Sequence, residues 1–223
     1  DEDTTHVKGV HLIPADMIAG QIRSFLGDVG ADCIKIGMLY SKNIIRLVAG
    51  ILDEYSSIPV VVDPVMVTSS GDKLLEEDAV QAYKDYLFPR TSILTPNKKE
   101  AEWLCGKELN EGNIEECLKD LSRWGNSVII KSVENRDFFI DYYYNPVEKV
   151  MKVYKKEGIR TRNVNGTGDS FASAVATFLS KGYGIEFAVP EAERFIQQSI
   201  ELGARFKFGK GFGPVYPYYE VQE

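Results

Sequence analysis

The run IPVVVDPVMV at 58–67 constrains the fold more than any other feature, because its apolar residues stand at consecutive rather than alternate positions. A strand with one wet face alternates. A strand that is apolar at every position has both faces covered, as in a parallel sheet held between two layers of helices. DCIKIGML at 32–39, TSILTPN at 91–97 and SVIIKSV at 127–133 share this character. Amphipathic periodicity predicts helices over 15–26, 42–55 and 76–87 and from Lys98 onward, with a polar loop, TSSGDK, at 68–73. An α/β fold with a mostly parallel sheet and helices on both faces follows.

Beyond Val133 the rhythm changes. DFFIDYYY, the turn signal NP and VEKVMKVYKK predict an antiparallel hairpin added to the sheet, with the tyrosines packed as half-buried strand residues rather than as a base-stacking surface. Helices are predicted over about 170–181 and 190–206, followed by a glycine-rich tail, FGKGFGPV. No repeat and no linker interrupts the chain, so residues 1–223 are expected to form a single domain. The formal charge of -7 offers no general attraction for nucleic acid or for anionic membranes, so any phosphate site must be local. No apolar run is long enough to span a bilayer and no signal segment opens the chain, which fits a cytoplasmic protein. Cys33, Cys105 and Cys117 form no CxxC pair and are expected to be reduced thiols.

NGTGDSFASAVATFLSKG at 165–182 carries the chemistry. Gly166 and Gly168 leave the backbone unshielded ahead of a helix whose first N–H groups and dipole favour an anion, so the 166–168 turn, with Thr167, is suited to phosphate oxygens. Asp169 is either a plain N-cap or a general base that takes the proton of a substrate hydroxyl attacking a phosphorus held beside it. GTGD alone is a weak motif, and it matches neither GxxxxGK[ST] nor a dinucleotide fingerprint. Its company makes it specific: DPVMV at 63–67, TPNKKEAEWL at 95–104 and NGTGDSFASA at 165–174 put acidic residues at the carboxyl ends of strands, where open α/β sheets bind their ligands.

With KGVHLIPADMIAGQI, ADCIKIGML and GKGFGPVYPYY, these blocks resemble the ribokinase-like superfamily, and within it the hydroxymethylpyrimidine/phosphomethylpyrimidine kinases of thiamin biosynthesis. The resemblance covers nearly the whole chain and implies a three-layer ribokinase-like fold, ATP and Mg²⁺ as cofactors, and a small pyrimidine as substrate. It leaves a homodimer open, with no local pattern marking an interface. Asn97 and Glu100 match the superfamily's NxxE element, which implies placement of Mg²⁺ and phosphates; their alternative role is to cap the helix that starts at Lys98. Asp63 matches an acidic position near the metal, or is a turn former before Pro64. Thr95 and Lys131 fall where relatives contact nucleotide phosphates, although Lys131 also reads as a solvated strand-end charge. Met38 matches a position lining the pyrimidine pocket, or is a core methionine. Gly209 and Gly211 resemble the segment near the adenine, or belong to a plain surface loop.

Two departures shape the expectation. The pyrimidine kinases commonly carry cysteine after GTG, whereas Asp169 stands here, as in sugar kinases and many pyridoxal kinases. Pyridoxal kinase is therefore the near alternative, and a catalytically silent vitamin-precursor-binding module the more distant one. The family also begins with a further strand and a glycine-rich segment that have no match here; a sheet lacking that strand has unpaired edges, so residues upstream of Asp1 are expected.

Overall fold

A computed structural model describes residues 1, 3–66, 74–75, 78–135 and 138–218. The polar loop expected at 68–73 and the first two residues of the 76–87 helix lie outside the described residues. The expected alternation is present: α1 (Ala15–Asp28), β1 (Ile34–Ile36), α2 (Lys42–Glu54), β2 (Val60–Val62), α3 (Ala79–Ala82), β3 (Ile93–Leu94), α4 (Lys98–Cys105), α5 (Ile114–Leu121) and β4 (Ser127–Asn135). The hairpin β5 (Phe138–Asn145) and β6 (Val150–Glu157) comes next, then β7 (Asn163–Asn165), α6 (Thr167–Ser180), α7 (Ile185–Gly203) and β8 (Gly213–Pro214).

Among the described residues, six strands form one sheet in the order β1-β2-β3-β4-β5-β6, and β7 pairs with β8 separately. β1 to β4 run parallel, with Lys35 opposite Val61 and Ile93 opposite Ser127, while β5 and β6 are antiparallel additions. The consecutive apolar residues divide between two cores by strand alternation. Val60, Val62, Leu94, Val128 and Ile130 pack with α2 to α5, whereas Val61, Ile93 and Ile129 pack with Phe171, Val175, Val189 and Ile196 of α6 and α7. Each aliphatic side chain fully removed from water contributes about 1.5–3 kcal/mol, so covering both faces favours these runs as central strands.

Three local expectations are corrected. The third helix does not run regularly to residue 87: it passes at Tyr83–Leu87 into a π turn and at Phe88–Arg90 into a 3₁₀ turn, next to Pro89, which has no N–H to continue an α-helical ladder. The last helix starts at Ile185 rather than near 190, because burial of Ala188, Val189 and Ala192 outweighs the hydrogen bond missing at Pro190. Cys105 and Cys117, expected as free thiols, are joined by a disulfide: packing of α4 against α5 brings their Cα atoms to 5.9 Å, a proximity their 12-residue spacing does not reveal. Cys33 is free, and burial pushes its thiol up to about 11.

Where α7 crosses the hairpin, a buried ionic cluster holds the two together. Lys156 donates to Asp141 and to Glu193, each at 2.7 Å, and Asp141 also accepts the N–H of Ser132 at 2.7 Å. Burial, and then the charge of Asp141, push the Glu193 carboxyl up to about 8.

Candidate active site

Strand alternation fixes which side chains meet at the carboxyl ends of the parallel strands. Asp63 follows Val61 by two residues, Thr95 follows Ile93 and Lys131 follows Ile129, so all three stand on the α6 face of the sheet. Their backbones carry the parallel ladder onward, Asp63 and Thr95 one step past β2 and β3 and Lys131 within β4: Asp63 N–H donates to Ile36 O at 2.8 Å, Thr95 N–H to Val62 O at 2.9 Å and Lys131 N–H to Pro96 O at 2.9 Å. Held in this row, Lys131 Nζ donates to Asp63 Oδ1 at 2.9 Å and Thr95 Oγ1 donates to the same oxygen at 3.1 Å. All three are buried, and Lys131 lies 5.5 Å from the centre of the Phe171 ring. Lys131 is therefore not a solvated strand-end charge.

The α4 N-terminus closes one side of the row. Asn97 Oδ1 accepts the Glu100 N–H at 3.0 Å while Glu100 Oε2 accepts the Asn97 N–H at 2.8 Å, a complete capping box. Glu100 Oε1 also accepts the Met66 N–H at 3.4 Å. Burial pushes the Glu100 carboxyl up to about 7; Asp63 adds to the rise, and Lys131 and the two N–H donors oppose it. A neighbouring divalent cation would restore this carboxyl to its charged form. Among the described residues no group of three or more His, Cys, Asp or Glu is arranged to hold a metal. One or two carboxylates with phosphate oxygens and water completing the shell is how Mg²⁺ is usually held, and Asp63 and Glu100 fit that requirement.

The 166–169 turn lies over the row. Gly166 adopts a φ of 82°, the left-handed region that favours glycine, and α6 starts one residue later at Thr167. The backbone ladder of α6 begins with Ser170 N–H on Gly166 O at 2.8 Å, which leaves the N–H groups of 167–169 without intrahelical acceptors. A Cβ on Gly168 would stand 3.1 Å from Lys131 Nζ and 3.6 Å from Asp63 Oδ2, so the turn sits directly against the buried pair. Thr167 Oγ1 faces back and donates to Val164 O at 2.6 Å. The N-cap reading of Asp169 is corrected: the N-cap is Gly166, and Asp169 lies inside the first turn with a largely exposed carboxylate. That carboxylate is paired with Lys35 Nζ.

Lys35 is the polar residue that sequence reasoning passed over. Its signal was a charge inside IKI, a strand apolar on either side of it; opposite Val61 in register, it points to the α6 face. Tyr83, also unforeseen, directs its hydroxyl to Gly37 O at 3.4 Å.

Met38 and the tail glycines have other neighbours. Met38 is partly exposed and lines a cavity of about 650 Å³ between the N-terminal segment, α1, β1 and α2, with Leu12, Phe25, Lys35 and Gly37 among its walls. Gly209 and Gly211 do permit a close backbone approach, but the approaching group is Thr4. Thr4 Oγ1 accepts the N–H of Lys210 at 3.2 Å and of Gly211 at 3.1 Å, and a Cβ on Gly211 would lie 1.8 Å from Thr4 O. The tail is tied to the glycine turn through β7, with Asn165 Nδ2 donating to Phe212 O at 2.7 Å. No helix among the described residues is long and apolar enough to cross a membrane.

Comparison with known proteins gives a consistent kinship. The chain is 34% identical over 221 residues to the thiamine biosynthesis bifunctional protein of Geobacter sulfurreducens, covering 96% of this chain and 44% of that protein. It is 32% identical over 225 residues to the hydroxymethylpyrimidine/phosphomethylpyrimidine kinase of Mycobacterium bovis, covering 99% of this chain and 80% of that one. It therefore spans less than half the length of its bifunctional relatives. The structure of an ADP complex of Bacillus subtilis pyridoxal kinase superposes with a TM-score of 0.82 at 29% identity, covering 93% of this chain and 77% of that one. Residues 1–216 match the family described as phosphomethylpyrimidine kinase, and the chain belongs to that family.

Proposed function

We propose that this chain transfers the terminal phosphoryl group of ATP to the hydroxymethyl group of hydroxymethylpyrimidine, to the phosphate of its monophosphate, or to both. The observation that carries this reading is the buried Lys131–Asp63–Thr95 row beneath the open N-terminus of α6, with the exposed Asp169 carboxylate one residue beyond Gly168. The N–H groups of 167–169 and the Lys131 ammonium receive the phosphoryl oxygens, in a place where preorganised donors cost no rearrangement during reaction. Asp169 takes the hydroxyl proton as the substrate oxygen attacks phosphorus, and the bond to ADP breaks with its electron pair on ADP. Asp63 and Glu100 would hold Mg²⁺, which supplies charge neutralisation on the phosphates when bound. Gly209, Gly211 and Met38 are assigned to the adenine and pyrimidine ends of the same site, on family resemblance.

Pyridoxal kinase is the second reading, favoured by the aspartate at 169 and by the likeness to the pyridoxal kinase structure. ATP-dependent transfer to hydroxymethylpyrimidine, its monophosphate and pyridoxal, measured side by side, separates the two. Asp169→Asn is expected to lose about 10²–10⁴ in turnover. Near-normal turnover in that variant removes Asp169 from the mechanism, and preference for pyridoxal moves the protein to the second reading.

A further inference from the structure

We infer that Lys35 is a catalytic residue of this site, an ammonium that is exchanged from Asp169 to the transferring phosphoryl group during the reaction. The inference rests on the phosphotransferase reading above.

The starting point is a charge in the wrong place. β1 alternation sends Ile34 and Ile36 into one core and Lys35 toward α6, where its ammonium reaches the first helical turn. A helix N-terminus carries the positive end of the helix dipole, so a cation there is disfavoured unless an anion accompanies it. Lys35 is four-fifths buried beside that turn. A second ammonium, Lys131, comes to the same turn from β4 on the other side, at 3.1 Å from the Cβ position of Gly168. Two lysines and three open N–H groups thus converge on one turn.

Their counter-charges differ in kind. Lys131 is neutralised by Asp63, which is buried with it and lies beneath the turn rather than facing the substrate. Lys35 is neutralised by Asp169, about two-thirds exposed and the group that accepts the substrate proton. When the substrate O–H proton passes to Asp169, the carboxylate becomes neutral and Lys35 loses its partner. At the same moment the new oxygen–phosphorus bond forms and charge spreads over the phosphoryl oxygens beside the turn, while the bond to ADP breaks with its electrons on ADP. Lys35 keeps all three protons and turns its charge from the carboxyl to those oxygens. Its interaction with the reacting group is weak before transfer and strong during it, which is the condition for raising turnover rather than binding. Lys35 also lines the cavity next to Gly37 and Met38, so the same side chain borders both the base and the space proposed for the acceptor.

The test uses the full chain and Lys35→Met, Lys35→Gln and Lys35→Arg, with urea midpoints checking that each folds. For Lys35→Met and Lys35→Gln the expected result is a fall of about 10²-fold in kcat with both KM values within a few-fold, the effect of removing one transition-state donor. Lys35→Arg, which keeps the charge, is expected to recover at least part of that loss. Lys35→Met still lowers kcat/KM when added to Asp169→Asn, because residue 169 is then already neutral and leaves the ammonium free for the phosphoryl oxygens. A binding readout accompanies this in the Asp169→Asn background, where residue 169 is neutral as it is during transfer: ADP with Mg²⁺ binds alike with and without Lys35→Met, but the gain in affinity on adding aluminium fluoride, a mimic of the transferring phosphoryl group, falls by a similar factor when Lys35 is replaced. Unchanged kcat, a loss confined to KM, or an intact aluminium fluoride gain overturns the assignment of Lys35 while the wild-type activity stands. A wild type that transfers phosphate to none of the three acceptors overturns the phosphotransferase reading, and this assignment with it.

Discussion

Replacing Lys131 by methionine tests whether the row beneath α6 is a buried ion pair that the fold depends on. The side chains of Lys131 and Asp63 are 7% and 5% exposed and meet at 2.9 Å. At an effective dielectric constant of about 20, two unit charges at that distance attract by about 6 kcal/mol, which is opposed by several kcal/mol of lost hydration for each ion. Methionine fills the space of the lysine stem but leaves the Asp63 carboxylate buried with the Thr95 hydroxyl as its remaining partner among the described residues. Breaking such a pair from one side costs about 3–5 kcal/mol, a large share of a total stability of about 5–15 kcal/mol. Melting is expected to fall by roughly 6–20 °C for a chain of this size, with a matching drop in the urea midpoint. Asp63→Asn is expected to be destabilised as well, and the double variant to lose clearly less than the sum of the two, since it leaves no unpaired charge behind. A Lys131→Met protein within about 1 kcal/mol of the wild type, or a double variant that loses the full sum, refutes the reasoning that the pair is desolvated and mutually dependent.

Two further predictions concern the hairpin cluster and the glycine turn. Because the folded protein holds the Glu193 proton up to about pH 8, against about 4.5 for an ordinary glutamate, the folded state binds the extra proton over that window. This stabilising contribution is complete below about 4.5 and is lost as pH rises through 8, at up to about 1.4 kcal/mol per pH unit. Glu193→Gln does not titrate, so its melting temperature is expected to fall less than that of the wild type between pH 5 and pH 8.5; parallel profiles would remove Glu193 from the pH response. Gly166→Ala places a side chain at a φ of 82°, which is expected to cost about 1–2 kcal/mol and to lower turnover as the 167–169 donors shift. Full activity and unchanged melting in that variant would mean that the turn does not need its left-handed residue.

What the sequence determined by itself was the identity of faces and of local bonds. Val60, Val61 and Val62 are apolar in succession because each side of β2 has its own core, and that pattern is visible in the letters alone. The Asn97–Glu100 capping box and the left-handed turn at Gly166 are decided within a few residues, so their signatures are complete locally. Lys35 and Asp169 are 134 residues apart, and Lys131 and Asp63 are 68 apart, and nothing near any of the four indicates its partner. Those meetings follow from strand order and register, which the summed burial of two whole cores fixes. The same holds for the Cys105–Cys117 bond, set by how α4 packs on α5, and for Thr4 lying against the tail glycines. Alternation along a strand tells a side chain which face it occupies; only the assembled sheet decides which other side chain is waiting there.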